Sequence, residues 1–337
     1  MSLIFNPFRF SAVPAPAPQY IGLSPAANPG VEVFPWSSGF GTKYADATPT
    51  PVTGSSLDFS PSNDALAVSE FFDAFFKVYA WSSSGFGSKY ADPASPPAVG
   101  SYGIKFSPSG NDIAATSGVS PFINAYQWSS GFGTKYADPA TLPTSRSVSP
   151  EFSPSGNDIA ISFEVTPYVR AYTWSSGFGT KYADPATLPT GYSWSLRFSP
   201  SGNDIAVAHQ NSPFISVYPW SSGFGTKYAN PATLPTSTGR DAEWTPSGND
   251  IAVAHFSSPF IAAWAWSSGF GTKYANPATA AEGNGWSVSF SVAGDNVATT
   301  TGQGKMVSVY TWDSGFGTKY AAPSTPVGFL PRRVRFV

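Results

Sequence analysis

Short apolar runs alternate with Pro, Gly and Asn clusters along the whole chain, and no run sustains a 3.6-residue apolar period. In the stretch from Leu196 to Pro231, Leu196-Arg197-Phe198 reads as a short strand. Ser199 to Asn203 follows as a turn in which Gly and Asn tolerate positive φ. Asp204 to His209 predicts a second strand. After a turn at Ser212-Pro213, Phe214 to Trp220, rich in aromatic and β-branched residues, predicts a third. Ser221 to Gly225 turns again, Thr226 to Ala229 predicts a short fourth strand, and Pro231 opens a Pro-containing connection.

This pattern recurs. The segment Trp-Ser-Ser-Gly-Phe-Gly-Thr-Lys-Tyr places its Trp at Trp36, Trp81, Trp128, Trp174, Trp220, Trp266 and Trp312, at intervals of 45, 47, 46, 46, 46 and 46. A second marker, Phe-Ser-Pro-Ser-Gly-Asn-Asp, starts at Phe106, Phe152 and Phe198 and is altered at Phe59, Trp244 and Phe290. Seven such units fill nearly all of the 337 residues, which excludes an ordinary two-domain layout. A lone four-stranded sheet cannot bury both faces, whereas a closed ring of sheets leaves none uncovered. The expectation is therefore an all-β chain: a seven-bladed β-propeller of four-stranded antiparallel blades over residues 19–337, with a Pro-rich arm over residues 1–18. Ala206 and Ala208 permit close approach between sheets, and the repeated Trp and Phe fill the wider gap toward the rim. The innermost strand has eight candidates. Seven keep the repeat spacing and end with Val334-Arg335-Phe336; the eighth is Phe8-Arg9-Phe10. Closure by the C-terminal strand onto Tyr20 to Leu23 is expected, with an N-terminal strand at Phe8 to Ser11 as the rival.

Phe-Ser-Pro-Ser-Gly, then Ile-Ala-Val-Ala, then Ile-x-Val-Tyr-x-Trp resembles the WD40 repeat over about residues 20 to 337. That resemblance implies the propeller fold. The Gly-His dipeptide of those repeats is missing, and Trp-Asp occurs once, at Trp312-Asp313, so their buried His network does not carry over. The Ser-Gly-Phe-Gly-Thr-Lys-Tyr segment also resembles repeat arrays encoded by marine bacteriophages, which implies a virion protein.

Composition narrows the chemistry. Charged residues are 11% of the chain, and 18 Lys plus Arg nearly balance 20 Asp plus Glu, so no basic nucleic-acid footprint exists. With no Cys, disulfides, thiolate metal sites and Cys nucleophiles are excluded. No apolar run is long enough for a membrane span. The segment from Met1 to Phe10 lacks a basic n-region and reads as a docking arm rather than a signal peptide. The two histidines, His209 and His255, end equivalent second strands, where other units carry Ser69, Ser117, Phe163 and Thr300; they read as duplicated structural residues, too few for a metal. Ser-Gly-Phe-Gly-Thr-Lys fails the phosphate-loop spacing and lacks a following helix. The one Lys per unit, Lys43 through Lys319, is expected to contact a nearby Asp or carbonyl. Asp112, Asp158, Asp204 and Asp250 are expected to serve their turns rather than bind calcium. No cofactor and no catalytic site is expected.

Comparison among the copies finds two variable segments. One precedes each first strand: Gly100-Ser101-Tyr102, Ser145-Arg146-Ser147, Gly191 to Trp194, Gly239-Arg240-Asp241 and Asn284-Gly285-Trp286. The other joins strands two and three, as at Glu70 to Phe76 and Gln210-Asn211. In antiparallel blades both emerge on one face. Tyr102, Arg146, Tyr192, Trp194, Arg240, Asp241 and Trp286 are therefore the candidate partner-binding residues, because such side chains dominate interface energies. The leading expectation is a non-enzymatic interaction module of a phage particle (tail, adsorption or decoration) that contacts virion proteins or a host surface receptor. A glycan-binding or glycan-processing propeller and a cytosolic scaffold are the alternatives.

Overall fold

The computed structural model describes residues 19–71 and 75–337, which form 26 strands and no helix. The strands assemble into seven antiparallel blades around an axis. Five blades have four regular strands; in the blades of Trp36 and Trp220 the outermost strand is reduced to single bridges, Trp36 to Phe40 and Trp220 to Phe224. The second strand falls where the sequence places it, at Asp204–His209. The fourth does not. It starts at the Phe of the marker, as in Phe178–Lys181, instead of at Thr226 to Ala229. The Phe pairs directly back onto the Trp, and its ring meets the indole edge-on, at 5.1 Å for Trp174 and Phe178.

The innermost strands run in sequence order from Gly54–Phe59 to Gly285–Phe290, and the ring is completed by Pro331–Phe336. That last strand pairs with Gln19–Pro25, matching Ile21 to Phe336 and Leu23 to Val334. Closure is C-terminal, as expected. The rival strand at Phe8 to Ser11 and the Pro-rich arm lie outside the described residues.

Packing between blades follows the repeat. Ala206, Ala208, Ile215 and Val217 of one blade are buried against Ala242, Trp244, Ile251 and Val253 of the next. Toward the rim each marker Trp is boxed by aromatic edges: Trp220 meets Tyr182 of the preceding blade at 5.3 Å, and Phe198 and Phe224 of its own at 5.2 and 5.1 Å. The turn acids join this box. Asp158 accepts from the Tyr182 hydroxyl at 2.6 Å and from the Trp220 indole N–H at 3.2 Å, 62 residues further along. Asp112 and Asp204 do the same with Tyr136 and Trp174, and with Tyr228 and Trp266. The acid thus serves its turn and also clips the next blade. Six of the marker lysines bond to the residue three positions on, such as Lys135 to Asp138 at 2.6 Å, and Lys319 reaches Glu282 instead, all at the exposed rim, where such pairs contribute little.

The axis carries a feature that the sequence analysis missed. One position of each innermost strand supplies Asp58, Lys105, Glu151, Arg197, Glu243, Ser289 and Arg335, spaced by 46 or 47 residues. The signs alternate around the ring. Lys105 lies 3.4 Å from Asp58 and 3.6 Å from Glu151; Arg197 lies 3.2 Å from both Glu151 and Glu243. Arg335 lies 3.7 Å from Asp58 and 3.4 Å from Glu243. An odd ring cannot alternate throughout, and the one neutral member, Ser289, sits between Glu243 and Arg335. The C-terminal strand is held further by the Ser287 and Ser289 hydroxyls, which accept from the Val334 and Phe336 N–H groups at 3.2 and 3.1 Å.

Replacing Asp158 by Ala strips the Trp220 indole N–H of its acceptor and removes the bridge to Tyr182. Urea unfolding should show a loss of about 1–3 kcal/mol, the usual cost of a buried donor left unmade. An unchanged midpoint would remove the acid from any role between blades.

Candidate functional site: a cationic aromatic cup on the axis

The two variable connections do emerge on one face, and their side chains meet over the axis. They line a cup of about 740 Å3, counting its open mouth. Six of the seven sequence candidates belong to it or its wall: Tyr102, Arg146, Tyr192, Trp194, Arg240 and Trp286. Asp241 does not reach it. Alternation along Gly239–Trp244, with a bulge between Gly239 and Asp241, sends its carboxylate to a fully buried tier beneath. Phe71, Arg332 and Arg333 line the cup too, and Phe256 backs it. Arg332 lay within reach of sequence reasoning, because it follows Trp286 by 46 residues, just as Trp286 follows Arg240.

The planar groups form a circuit. The Phe71 and Tyr102 rings meet edge-on at 4.7 Å, and the Arg146 guanidinium lies 4.8 Å from the Tyr102 centroid and 6.0 Å from that of Tyr192. Tyr192 stacks on Trp194 at 3.9 Å. Arg240 lies 3.5 Å from the Trp194 centroid, 3.9 Å from that of Phe256 and 4.4 Å from that of Trp286. Arg332 lies 5.4 Å from Trp286 and 4.9 Å from Phe71, which closes the loop. Cation–π contacts of this kind are worth about 0.5–2 kcal/mol each and fix the guanidinium planes.

The charges are unevenly compensated. Arg146 pairs with Glu164 and receives further support from the Tyr192 hydroxyl at 3.0 Å. Arg333, at the floor, pairs with Asp241 at 2.8 Å. Asp241 also accepts from the Ser195 and Ser287 hydroxyls at 2.5 and 2.7 Å. Burial opposes its charge, but Arg333 and Arg197 outweigh it and hold the carboxyl down to about 2. Arg240 and Arg332 have no acidic partner among the described residues. Buried without hydrogen-bond partners are Arg240 Nε and Nη1, Arg332 Nε, Arg146 Nε, and the indole nitrogens of Trp194 and Trp286. Burial, with Arg332 adding to it, lowers Arg240 to about 9, so it remains a cation at neutral pH. Burial pushes Tyr192 up to about 12, so it keeps its proton. The cup thus presents positive charge and aromatic faces, with unused N–H donors buried in its wall.

No cluster of metal-ligating residues occurs among the described residues, and no helix there is long and apolar enough to cross a membrane. The histidines are buried structural residues. His209 bonds Ser216 through Nε2 at 3.0 Å; in the next blade Ala262 takes the serine's place and His255 Nε2 has no partner. Strand register aligns them with Glu70, Ser117, Phe163 and Thr301, which corrects the alignment with Ser69 and Thr300.

No family model and no curated protein matches the sequence. Solved structures share the fold. A protein from Bacteroides uniformis assigned as a 6-phosphogluconolactonase aligns with a TM-score of 0.71 and 14% identity, over 95% of this chain and 99% of that one. The periplasmic gluconolactonase of Pseudomonas aeruginosa aligns with a TM-score of 0.68 and 16% identity, over 95% and 99%. The β-propeller domain of Swd1 from Myceliophteria thermophila aligns with a TM-score of 0.59 and 11% identity, over 82% and 88%. The chain is a seven-bladed β-propeller, and the propeller part of the WD40 resemblance stands. The expectation of a non-enzymatic phage component is overturned, because structures that align over nearly their whole length include ones with lactonase names. At these identities the likeness is one of architecture alone.

Burial lowers both histidines from 6.5 to about 4. Between those values the unfolded chain binds protons that the folded chain refuses, so stability falls as pH drops through this window. The loss should reach roughly 2–3 kcal/mol per histidine. Urea midpoints at pH 7 and pH 4.5 check this: the His209→Gln, His255→Gln double variant should lose less than the parent. Equal losses would refute it.

Proposed function

We propose that this propeller is a hydrolase of sugar lactones, with the axial cup as its active site. The observation that carries the reading is the closed circuit of guanidinium and aromatic groups with buried N–H donors left without partners. The lactonase names among similar folds support it. Aromatic faces suit the apolar C–H face of a sugar ring, and the donors suit its oxygens. In ester hydrolysis, charge develops on the carbonyl oxygen as water adds, and preorganised donors at that oxygen supply the largest stabilisation. Arg146, whose Nε is left without a partner beside Tyr192 and Glu164, is the donor for that oxyanion.

The rest of the reaction can be assigned to neighbouring groups. Glu164, in contact with Arg146 at the wall, takes a proton from the attacking water. The water oxygen bonds to the carbonyl carbon, the bond from that carbon to the ring oxygen breaks, and the ring oxygen leaves as a hydroxyl. Tyr192 is protonated at neutral pH, and its oxygen accepts from Arg146, so its O–H is available for that departing oxygen. The product is an open-chain aldonate, whose new carboxylate meets the same cationic cup.

A pH-stat assay with glucono-δ-lactone and its 6-phosphorylated form tests this reading. The parent should exceed the spontaneous rate, and Glu164→Gln should lower kcat by about 10²–10³ with a smaller effect on KM. No turnover of either lactone above background would end the proposal.

A further inference from the structure

The cup holds two cations that nothing in the described chain neutralises. Arg240 and Arg332 lie 4.4 and 5.4 Å from the centroid of one indole, Trp286. Their neighbours differ. Arg146 has Glu164, Arg333 has Asp241, and each axial-ring cation lies within 3.7 Å of a carboxylate. Among the described arginines, the fold therefore supplies a carboxylate to each except this pair. Burying a charge without a partner is strongly unfavourable. Burial pushes both guanidiniums below their usual range, and Arg332 adds to the effect on Arg240. Three of the pair's own N–H-bearing nitrogens are buried and unbonded, and the Trp286 indole nitrogen between them is a fourth.

We propose that Arg240 and Arg332, bracketing Trp286, form a subsite for a tetrahedral dianion, a phosphoryl group carried by the sugar. Two uncompensated positive charges match two negative ones. Nitrogens on three side chains match a group with several acceptor oxygens, and guanidinium forks suit phosphoryl geometry. A neutral lactone brings no charge to this pair. The inference rests on the lactonase reading for its sugar and stands without it as an anion site.

Binding separates the two claims, because it needs no turnover. Thermal melting with inorganic phosphate or sulfate, at ionic strength fixed with sodium chloride, should raise Tm with the logarithm of anion concentration, by about 5 °C at a hundredfold excess over Kd. Acetate at equal ionic strength should not. Arg240→Met and Arg332→Met should each abolish the rise, whereas Lys135→Met, which removes a rim charge, should keep it. Should one arginine variant fail to fold, the other carries the test. The ligand-free Tm of a folded arginine variant should not fall far, because the substitution also removes an unpaired charge. Calorimetry should show 6-phosphogluconate binding at least about tenfold more tightly than gluconate or free phosphate. A phosphate response that persists in both arginine variants, or no response in the parent, overturns the subsite. Equal affinity for 6-phosphogluconate and gluconate overturns its place in the substrate. Phosphate binding lost in both variants, in a protein that opens no lactone, keeps the subsite and rejects the hydrolase.

Discussion

A blade of this chain is apolar on both faces and is finished only by its neighbours. Ala206, Ala208, Ile215 and Val217 have no value as a core until Ala242, Trp244 and Ile251 lie on them. Closure is therefore the constraint from which the rest follows. The last strand, Pro331–Phe336, closes the ring by pairing with Gln19–Pro25, and it also brings Arg332 and Arg333 to the cup and Arg335 to the axial ring. One strand completes the core, the charge pattern and the site together.

Near-identical repeats raise a second problem, since their outer strands hardly distinguish one neighbour from another. The axis does distinguish them. Asp58, Lys105, Glu151, Arg197, Glu243 and Arg335 alternate in sign, and Ser289 absorbs the mismatch that an odd number of blades imposes. A blade placed out of order would set like charges side by side in a poorly solvated ring. Removing a partner from such a buried pair costs about 3–5 kcal/mol. The Asp–Tyr–Trp clips at the rim join three pairs of adjacent blades in one and the same way, so it is the axial ring that distinguishes neighbours.

Much of this architecture was legible in the sequence. The spacing from Trp36 to Trp312 gave the number of blades, and Phe336, placed 46 residues after Phe290, gave the closing strand. The fourth strand was misplaced because Thr-Lys-Tyr looks extended, whereas Gly-Phe-Gly, which reads as a turn, folds back on its own Trp. The variable face was readable, and six candidates converge there. Asp241 went astray because strand alternation separates it from Arg240, and alternation cannot be counted through a bulge. The counter-charges of the cup were invisible, since Glu164 and Arg146 meet across a turn and Arg333 and Asp241 meet across a blade. Function was misjudged for the same reason. The positions where the copies disagree were read as a partner-binding face, and the structure gathers six of them into a cup.

The central claim is that residues 331–337 supply, in one piece, the missing strand and the cations above it. It can be tested with a chain ending at residue 330 and a synthetic peptide of residues 331–337. The truncated chain should melt well below the parent and show no Tm response to phosphate, and the added peptide should restore both in a saturable way. A peptide carrying Arg332→Met should restore the melting temperature but not the phosphate response. A truncated chain that melts and binds phosphate as the parent does would contradict the account.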